Sequence, residues 1–332
     1  LTEVAGLRGY AFVDIRPQVR RNRADRTIDI NYVINEAPRV YVEEIKIIDN
    51  VRTHDKVIRR ELRMVEGDAY NSSRLNRSEV RVRALQFFKE VSIEQIEGTA
   101  ADKTILEITV EEQPTGELSA GLGYSSFESF MINFSIAERN LLGKGQFARL
   151  GASLSKRRKE VELSFTEPYF MDRRVAVGAD IYMRNTNFIE SGFQQNSVGS
   201  SIRTAFPLTE FIVMNLSYGL SKDKVITSFF SQSPYIANNS GDFLTSALSY
   251  GISYNTLDDR QKPNRGQVLT LLQQFAGLGG NEKYIRTTGL YQFYYPIYKR
   301  WVFNVSLEGG HIQGLGRDVR LNRRFFLGNP KI

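Results

Sequence analysis

The chain has 332 residues, with 44 lysines and arginines against 37 acidic residues, and it contains no cysteine. The absent thiols exclude disulfides, thiolate metal sites and cysteine nucleophiles, and two histidines cannot build a histidine-rich metal centre. No apolar run reaches the ~18 residues of a spanning helix, so a membrane crossing has to be made by a closed barrel, the other structure that pairs every backbone group internally.

The charge is uneven. Residues 1–112 carry 19 basic and 20 acidic side chains, which leaves the remainder with 25 against 17. The positive excess therefore belongs to the second part. Its plainest use is attraction to anionic lipid head groups. The charges are scattered along strands instead of gathered into a patch, so nucleic acid is not expected as a partner.

In chain order, residues 10–19 and 27–34 form a hairpin around Arg21-Asn22-Arg23-Ala24-Asp25. Residues 40–48, VYVEEIKII, are a strand. Thr53 is placed to cap a short helix carrying Val57, Ile58 and Leu62. Asn71-Ser72 caps a longer helix, with Leu75, Val82 and Leu85 at i, i+7 and i+10. Residues 91–96 and 104–110 close a second hairpin around Gly98 to Asp102. Residues 38–113 thus form a complete β-α-α-β-β unit, and 1–37 ends in the same way, as the C-terminal part of a repeat. A three-stranded sheet covered on one side leaves edges able to accept an extended peptide.

After Gln113-Pro114-Thr115-Gly116 no helix signal remains. Residues 117–126, ELSAGLGYSS, place Leu118, Ala120, Leu122 and Tyr124 on one face and Glu117, Ser119, Gly121, Gly123 and Ser125 on the other. Alternating strands follow near 130–137, 150–154, 160–165, 175–183, 196–206, 211–222, 242–256, 266–276, 283–295 and 299–311, about eleven in all. Their polar set is small and hydroxyl-rich, which suits a wet lumen. Alternation alone does not separate a barrel from a soluble sandwich. Turn chemistry favours the barrel. Pro168-Tyr169-Phe170, Phe206-Pro207-Leu208, Pro263-Asn264-Arg265-Gly266 and Tyr295-Pro296-Ile297-Tyr298 fall on one side of the meander, and longer loops, 184–196 and 223–241, on the other. Tyr169, Phe170, Phe206, Phe211, Tyr294, Tyr295 and Trp301 are placed at a periplasmic aromatic girdle. An odd strand count does not close an up-and-down barrel, so residues 114–332 are expected to be its N-terminal portion, with Gly314 to Ile332 running out as a loop.

Several stretches together carry a resemblance: DNVRTHDKVIRREL, EGDAYN, RALQFFKEV, EEQPTGELSAGLGYSS, NLLGKGQ, TEPYF and GHIQGLG…RRFFLGNPKI, in that order. They resemble the BamA family of outer-membrane assembly factors, from its last POTRA module into its β-barrel, and the final stretch resembles the first part of the family's long extracellular loop, within which residues 114–332 would then end. The family's Arg-Gly-Phe motif is absent after the final stretch. The resemblance implies an α+β POTRA module followed by an antiparallel transmembrane β-barrel in the bacterial outer membrane, with the POTRA part in the periplasm. It also implies partners: nascent outer-membrane proteins, periplasmic lipoproteins of the assembly complex, and outer-membrane lipid and lipopolysaccharide. The lipoprotein-docking role falls at Glu61, with Arg59 and Arg60 beside it; from the residues alone, this charged segment is a solvated helix face. The first barrel strand is the expected seam, because Gly121 and Gly123 weaken it. A two-partner secretion pore or a TamA-like translocation factor is the alternative.

No covalent chemistry or cofactor is expected. His54 lies in the helix-capping segment and His311 at the outer rim, and no serine sits in a nucleophile elbow. Gly143-Lys144-Gly145 and Gly277-Leu278-Gly279-Gly280 each join two strands and lack the helix N-terminus that a phosphate loop requires.

Overall fold

The computed structural model describes residues 15–22, 27–34, 40–126, 128–188, 192–227, 240–259, 262–298, 301–320 and 323–325. The chain divides into two compact units, residues 1–115 with 139–145, and residues 116–138 with 146–332. The segment 139–145 clusters with the first unit, although it follows the start of the large sheet in sequence.

In the first unit, β1 (Ile15–Asn22) pairs antiparallel with β2 (Thr27–Ile34), from Ile15 opposite Ile34 to Asn22 opposite Thr27. Residues 10–14 and 23–26 of the expected hairpin lie outside the described residues, and Arg21 and Asn22, expected in the turn, belong to β1. A separate three-stranded sheet has the order β3 (Tyr41–Ile48), β5 (Lys103–Glu112), β4 (Phe88–Glu97); β3 runs parallel and β4 antiparallel to β5. A parallel neighbour requires a crossover, and α1 (Asp55–Arg59) and α2 (Ser72–Ala84) lie in it. This is the expected β-α-α-β-β order.

The period of each element shows in what it buries. On β5, Leu106, Ile108 and Val110 point into the core, every second residue. On α2 Leu75, Ser78 and Val82 are buried, at the three- and four-residue spacing of one helical face. Leu75 and Val82 pack with Val57 and Ile58 of α1, and with Phe87 and Phe88, whose rings meet edge to face at 6.2 Å. The Asn71 side chain caps α2 by accepting the Arg74 N–H at 3.0 Å.

The start of α1 corrects the sequence expectation. Its N-cap is His54, which makes no side-chain cap bond, and the helix ends at Arg59, short of Leu62. Thr53 has another duty. Its N–H donates to Glu112 Oε1 at 2.7 Å, and the Arg52 N–H donates to Glu112 Oε2 at 2.9 Å. A long-range carboxylate had replaced the local cap, which a sequence pattern does not reveal.

The second unit is one antiparallel sheet of eleven strands in sequential order, a meander with no crossover. They are β6 (Gly116–Ser125), β7 (Ser129–Leu141), β8 (Gln146–Ser155), β9 (Arg158–Glu167), β10 (Ala176–Phe188), β11 (Phe193–Pro207), β12 (Ile212–Thr227), β13 (Gly241–Asn255), β14 (Gly266–Gly280), β15 (Tyr284–Tyr298) and β16 (Trp301–Gly314). Two expected loops are shorter than read. β10 and β11 extend through most of 184–196, and β12 continues to Thr227. Both extensions are polar and so break the apolar alternation used to end them, yet their backbones still pair, with Asn185 opposite Asn196. Gly277 to Gly280 is likewise not a connection. It is the end of β14, where Gly277, Gly279 and Gly280 have positive φ beside a register shift in the β13–β14 pairing.

The two faces of this sheet differ in kind. Leu122 lies opposite Ile132, and Leu150 and Ile181 flank Leu163 from either side; all five are exposed, Leu122 at 85%. Contiguous exposed apolar surface across neighbouring strands is what a lipid-facing wall presents and what a sandwich would bury. The opposite face is polar, and it is more charged than its expected hydroxyl-rich character. Glu160 takes Arg158 and Arg184, and Asp180 takes Arg203 together with the hydroxyls of Ser164 and Ser201.

Candidate functional site

Two places are relevant: the terminal strand of the large sheet, and the charged corner of the α/β module.

Strand β6 ends the hydrogen-bonded order among the described residues, with β7 as its neighbour. The register runs from Gly116 opposite Glu138 to Ser125 opposite Ser129. Leu118, Leu122 and Tyr124 lie on the apolar, exposed face, and Tyr124 meets Phe130 edge to face at 5.2 Å. Across the strand, Gly121 lies opposite Asn133 and Gly123 opposite Met131. A Cβ at Gly121 would touch nothing, so this glycine is no packing requirement; it leaves the strand without a side chain on its polar face. Ala120 and Gly121 line a cavity that reaches Arg149, Glu160 and Glu162. Cross-strand side-chain pairs are the unit of sheet stability, and β6 contributes few on that face.

The three candidate partner-binding residues of the module lie in different surroundings. Arg59 is tied in place: Nε donates to Asp55 at 3.2 Å, Nη1 to Glu66 at 3.0 Å and Nη2 to the Ile45 carbonyl at 3.0 Å. Arg60 is half-buried. Glu61 is only 6% exposed, and its Oε2 accepts both Nε (3.1 Å) and Nη2 (2.5 Å) of Arg81. The charged segment is thus not one solvated helix face. Arg81, on α2 twenty residues on, is the more accessible member of the pair, its side chain 24% exposed. Sequence reasoning missed Arg81, because α2 holds four arginines and spacing alone does not say which turns inward.

Glu112 is a further residue that reasoning from the sequence passed over. Burial alone pushes its carboxyl up, but hydrogen bonds from the Thr53 hydroxyl and from the N–H groups of Thr53 and Arg52 hold it below the usual carboxylate range. A depressed folded value stabilises the module above the unfolded-state value, near ~4.3 for glutamate, and that contribution is lost as pH falls through the lower folded value. In thermal melts followed against pH, the Glu112→Gln variant is expected to start less stable at neutral pH and to lack the wild-type loss of stability in that acid window. Parallel curves for the two proteins would contradict the assignment.

Among the described residues no cluster of three or more histidine or acidic side chains is placed to hold a metal ion. His54 and His311 are both exposed and far apart in the sequence.

Comparison with known proteins follows the same division of the chain. The Omp85 superfamily domain matches residues 140–332, more than half of the chain. The chain belongs to the Omp85 superfamily. A POTRA domain, described as a surface antigen variable number repeat, matches residues 40–113, which places the three-stranded module. Among Omp85 relatives, the chain is 30% identical over 323 residues to the outer membrane protein assembly factor BamA of Nitratidesulfovibrio vulgaris, and 31% identical over 339 residues to that of Neorickettsia risticii. These alignments cover 96% and 98% of the chain but only 41% and 44% of the relatives, so the chain spans less than half of their length. A crystal structure of BamA from Haemophilus ducreyi lacking POTRA domains 1–3 superposes with a TM-score of 0.81 at 24% identity, over 99% of this chain and 66% of that one. CdiB from Escherichia coli superposes with a TM-score of 0.55 at 12% identity, over 94% of this chain and 60% of that one. These two likenesses show the fold: a POTRA module followed by an antiparallel barrel wall.

Proposed function

We propose that the chain is part of a BamA-like insertase of the bacterial outer membrane, which receives nascent outer-membrane proteins at its POTRA edges and inserts them through the strand β6. The relatives named above are assembly factors, and this reading gives the chain their role without any covalent reaction. The POTRA module is then periplasmic and the exposed apolar face of the wall lies in lipid, with lipopolysaccharide among its neighbours. The basic excess beyond residue 112 suits that anionic surface.

The observation that carries the reading is the composition and place of β6. Among the described residues it stands at one end of the sheet order, with Gly121 and Gly123 on a face that has little to hold it. A strand edge exposes N–H and C=O groups that pair with any extended chain, whatever its side chains, so one edge serves many clients. The same rule applies to β3 and β4, the outer strands of the POTRA sheet. Periplasmic lipoproteins of the assembly complex are proposed to dock at the corner formed by Arg59, Arg60 and the Glu61–Arg81 pair, with Arg81 as the part that reaches a partner.

The test is a site-directed photo-crosslinker placed along residues 116–125 of the full-length protein while a barrel client is stalled during assembly. Crosslinks to the client on alternate positions of β6 are expected, and they should be absent from a central strand such as β12. A β6 that never joins a client would sink the insertase reading.

A further inference from the structure

We propose that the apolar-side face of β9 to β12, at the end of the wall where β10 passes into β11, is a binding site for the phosphate groups of lipopolysaccharide, made by Lys159, Lys222 and Lys224 with Asn185 and Asn196 between them. This inference rests on the reading of the exposed apolar face as lipid-facing and deepens it by naming what that face holds.

The register sets these side chains in a row. Lys159 of β9 lies opposite Asn185 of β10, Asn185 opposite Asn196 of β11, and Asn196 opposite Lys224 of β12. At ~4.8 Å per strand, the two lysines stand about 14 Å apart with the two amides between them. Lys222 is two positions from Lys224 on the same face of β12, ~7 Å along the strand. All three lysines are exposed. Strand phase puts them on the apolar side: Val161 and Leu163 follow Lys159 at two-residue steps and are exposed, whereas Glu160 and Asp223 are buried on the polar side.

The adjoining row shows where the apolar band stops. Val161, Met183, Val198, Lys222 and Leu244 lie opposite one another in turn, and the four apolar members are exposed. Lys222 follows Ile212, the first residue of β12, by ten positions. For a strand tilted ~40° this is a rise of about 25 Å, the height of a barrel's apolar band. In the meander β12 runs in the same direction as β6. With the POTRA module periplasmic, the lysines therefore stand at the outer leaflet.

The row is equipped for an anion. Among the described residues none of the three lysines forms an ion pair; Lys224 faces Asp242, the single acid in the row, across the ladder without one. Gln194 Nε2 donates to Oδ1 of Asn185 at 3.1 Å and to Oδ1 of Asn196 at 3.4 Å. Both amide carbonyls are thus engaged by one donor, and the two NH2 groups remain for an acceptor from outside. Ammonium and amide groups together supply charge and donors, and a phosphate supplies charge and acceptors. Lipopolysaccharide carries more than one phosphate on one sugar headgroup, so a single molecule engages cations about 14 Å apart. A phospholipid offers one phosphate and gains nothing from the second cation.

The test is titration of the full-length protein in detergent micelles with purified lipopolysaccharide. Each of Lys159→Gln, Lys222→Gln and Lys224→Gln is expected to weaken binding roughly fivefold, and the triple variant on the order of a hundredfold, the size of a lysine's attraction to an anionic surface. Asn185→Leu with Asn196→Leu should weaken it roughly tenfold without a change of charge. Lys262→Gln, in the β13–β14 connection at the opposite end of the wall, should bind as wild type does. Enzymatically dephosphorylated lipopolysaccharide should not distinguish the triple variant from wild type. Equal binding of intact lipopolysaccharide by those two proteins overturns the site. An unaffected asparagine variant overturns the built row and leaves diffuse charge only. Phosphatidylglycerol bound as tightly as lipopolysaccharide, with the same lysine dependence, overturns the choice of ligand. Insertion into uncharged phosphatidylcholine vesicles is measured alongside. Insertion without lysine-dependent binding removes the site and leaves the lipid-facing reading standing; lysine-dependent binding by a protein that does not insert does the reverse.

Discussion

Arg323→Ala is expected to destabilise the barrel wall by about 3 kcal/mol, because it strands a buried carboxylate. Asp223 on β12 is 2% exposed, and its neighbours across the ladder are Ser197 and Phe243, neither of them cationic. The lysines on either side of it in sequence belong to the opposite face. Its charge is answered by Arg323, one hundred residues along the chain, beyond β16. Ser197 at 2.5 Å and Gln195 at 3.0 Å add neutral hydrogen bonds that do not replace the guanidinium. Removing one partner of a buried pair costs about 3–5 kcal/mol, and water on the polar face puts the effect at the low end. Arg323→Ala combined with Asp223→Asn should recover part of the loss, since the charge left behind has gone. Urea unfolding in lipid, or the temperature at which the folded band disappears on semi-native gels, reads the difference. Equal stability of wild type and Arg323→Ala would show that other groups compensate Asp223. The neighbouring Arg320, which pairs with Glu282 at 2.6 Å and lies 3.7 Å over the Phe243 ring, ties the same segment at a second point.

The second large effect tests the wall itself. Leu163→Arg is expected to cost about 2–4 kcal/mol in lipid, the range for a cation near the midplane of a barrel's outer face. Leu163 is central in β9, with Leu150 and Ile181 beside it on neighbouring strands, and all three are exposed. If this face met water, the arginine would be tolerated within about 0.5 kcal/mol, as on an ordinary surface. The two outcomes differ enough for the folded fraction in vesicles to separate them. A neutral result would take the membrane assignment with it.

How much of this was legible in the sequence varies by interaction range. The hairpins, the α2 cap at Asn71 and the barrel-strand connections at Gly143 to Gly145 and at Pro168 to Phe170 follow from turn residues and alternation, which act within a few positions. Strand β6 was legible for the same reason: Leu118 to Tyr124 alternate without a break. The duties of Thr53, Glu61 and Glu112 were not legible. Each is fixed by a partner 20 to 60 residues away, and nothing local distinguishes a carboxylate that clamps a backbone from one in water. The polar extensions of β10, β11 and β12 escaped because their backbone pairing continues where the apolar signal stops. The inner arginine–acid pairs were half legible. Asp180 sits on the polar phase between Ala179 and Ile181, but its match with Arg203 needed the register of β10 against β11.

By itself the sequence determined the order of elements, the change from mixed α/β to all-β near Gly116, and which side chains share a face of each strand, because period and turn chemistry are properties of neighbouring residues. Alternation alone left a sandwich and a barrel wall open, since both bury one face in two; turn chemistry and the family resemblance favoured the wall. The tertiary structure bears this out by placing the apolar sets of adjacent strands together on the exposed side and joining the charges across the other. It alone also assigned residues 139–145 to the POTRA unit, a pairing made by distance in space and invisible to any local pattern.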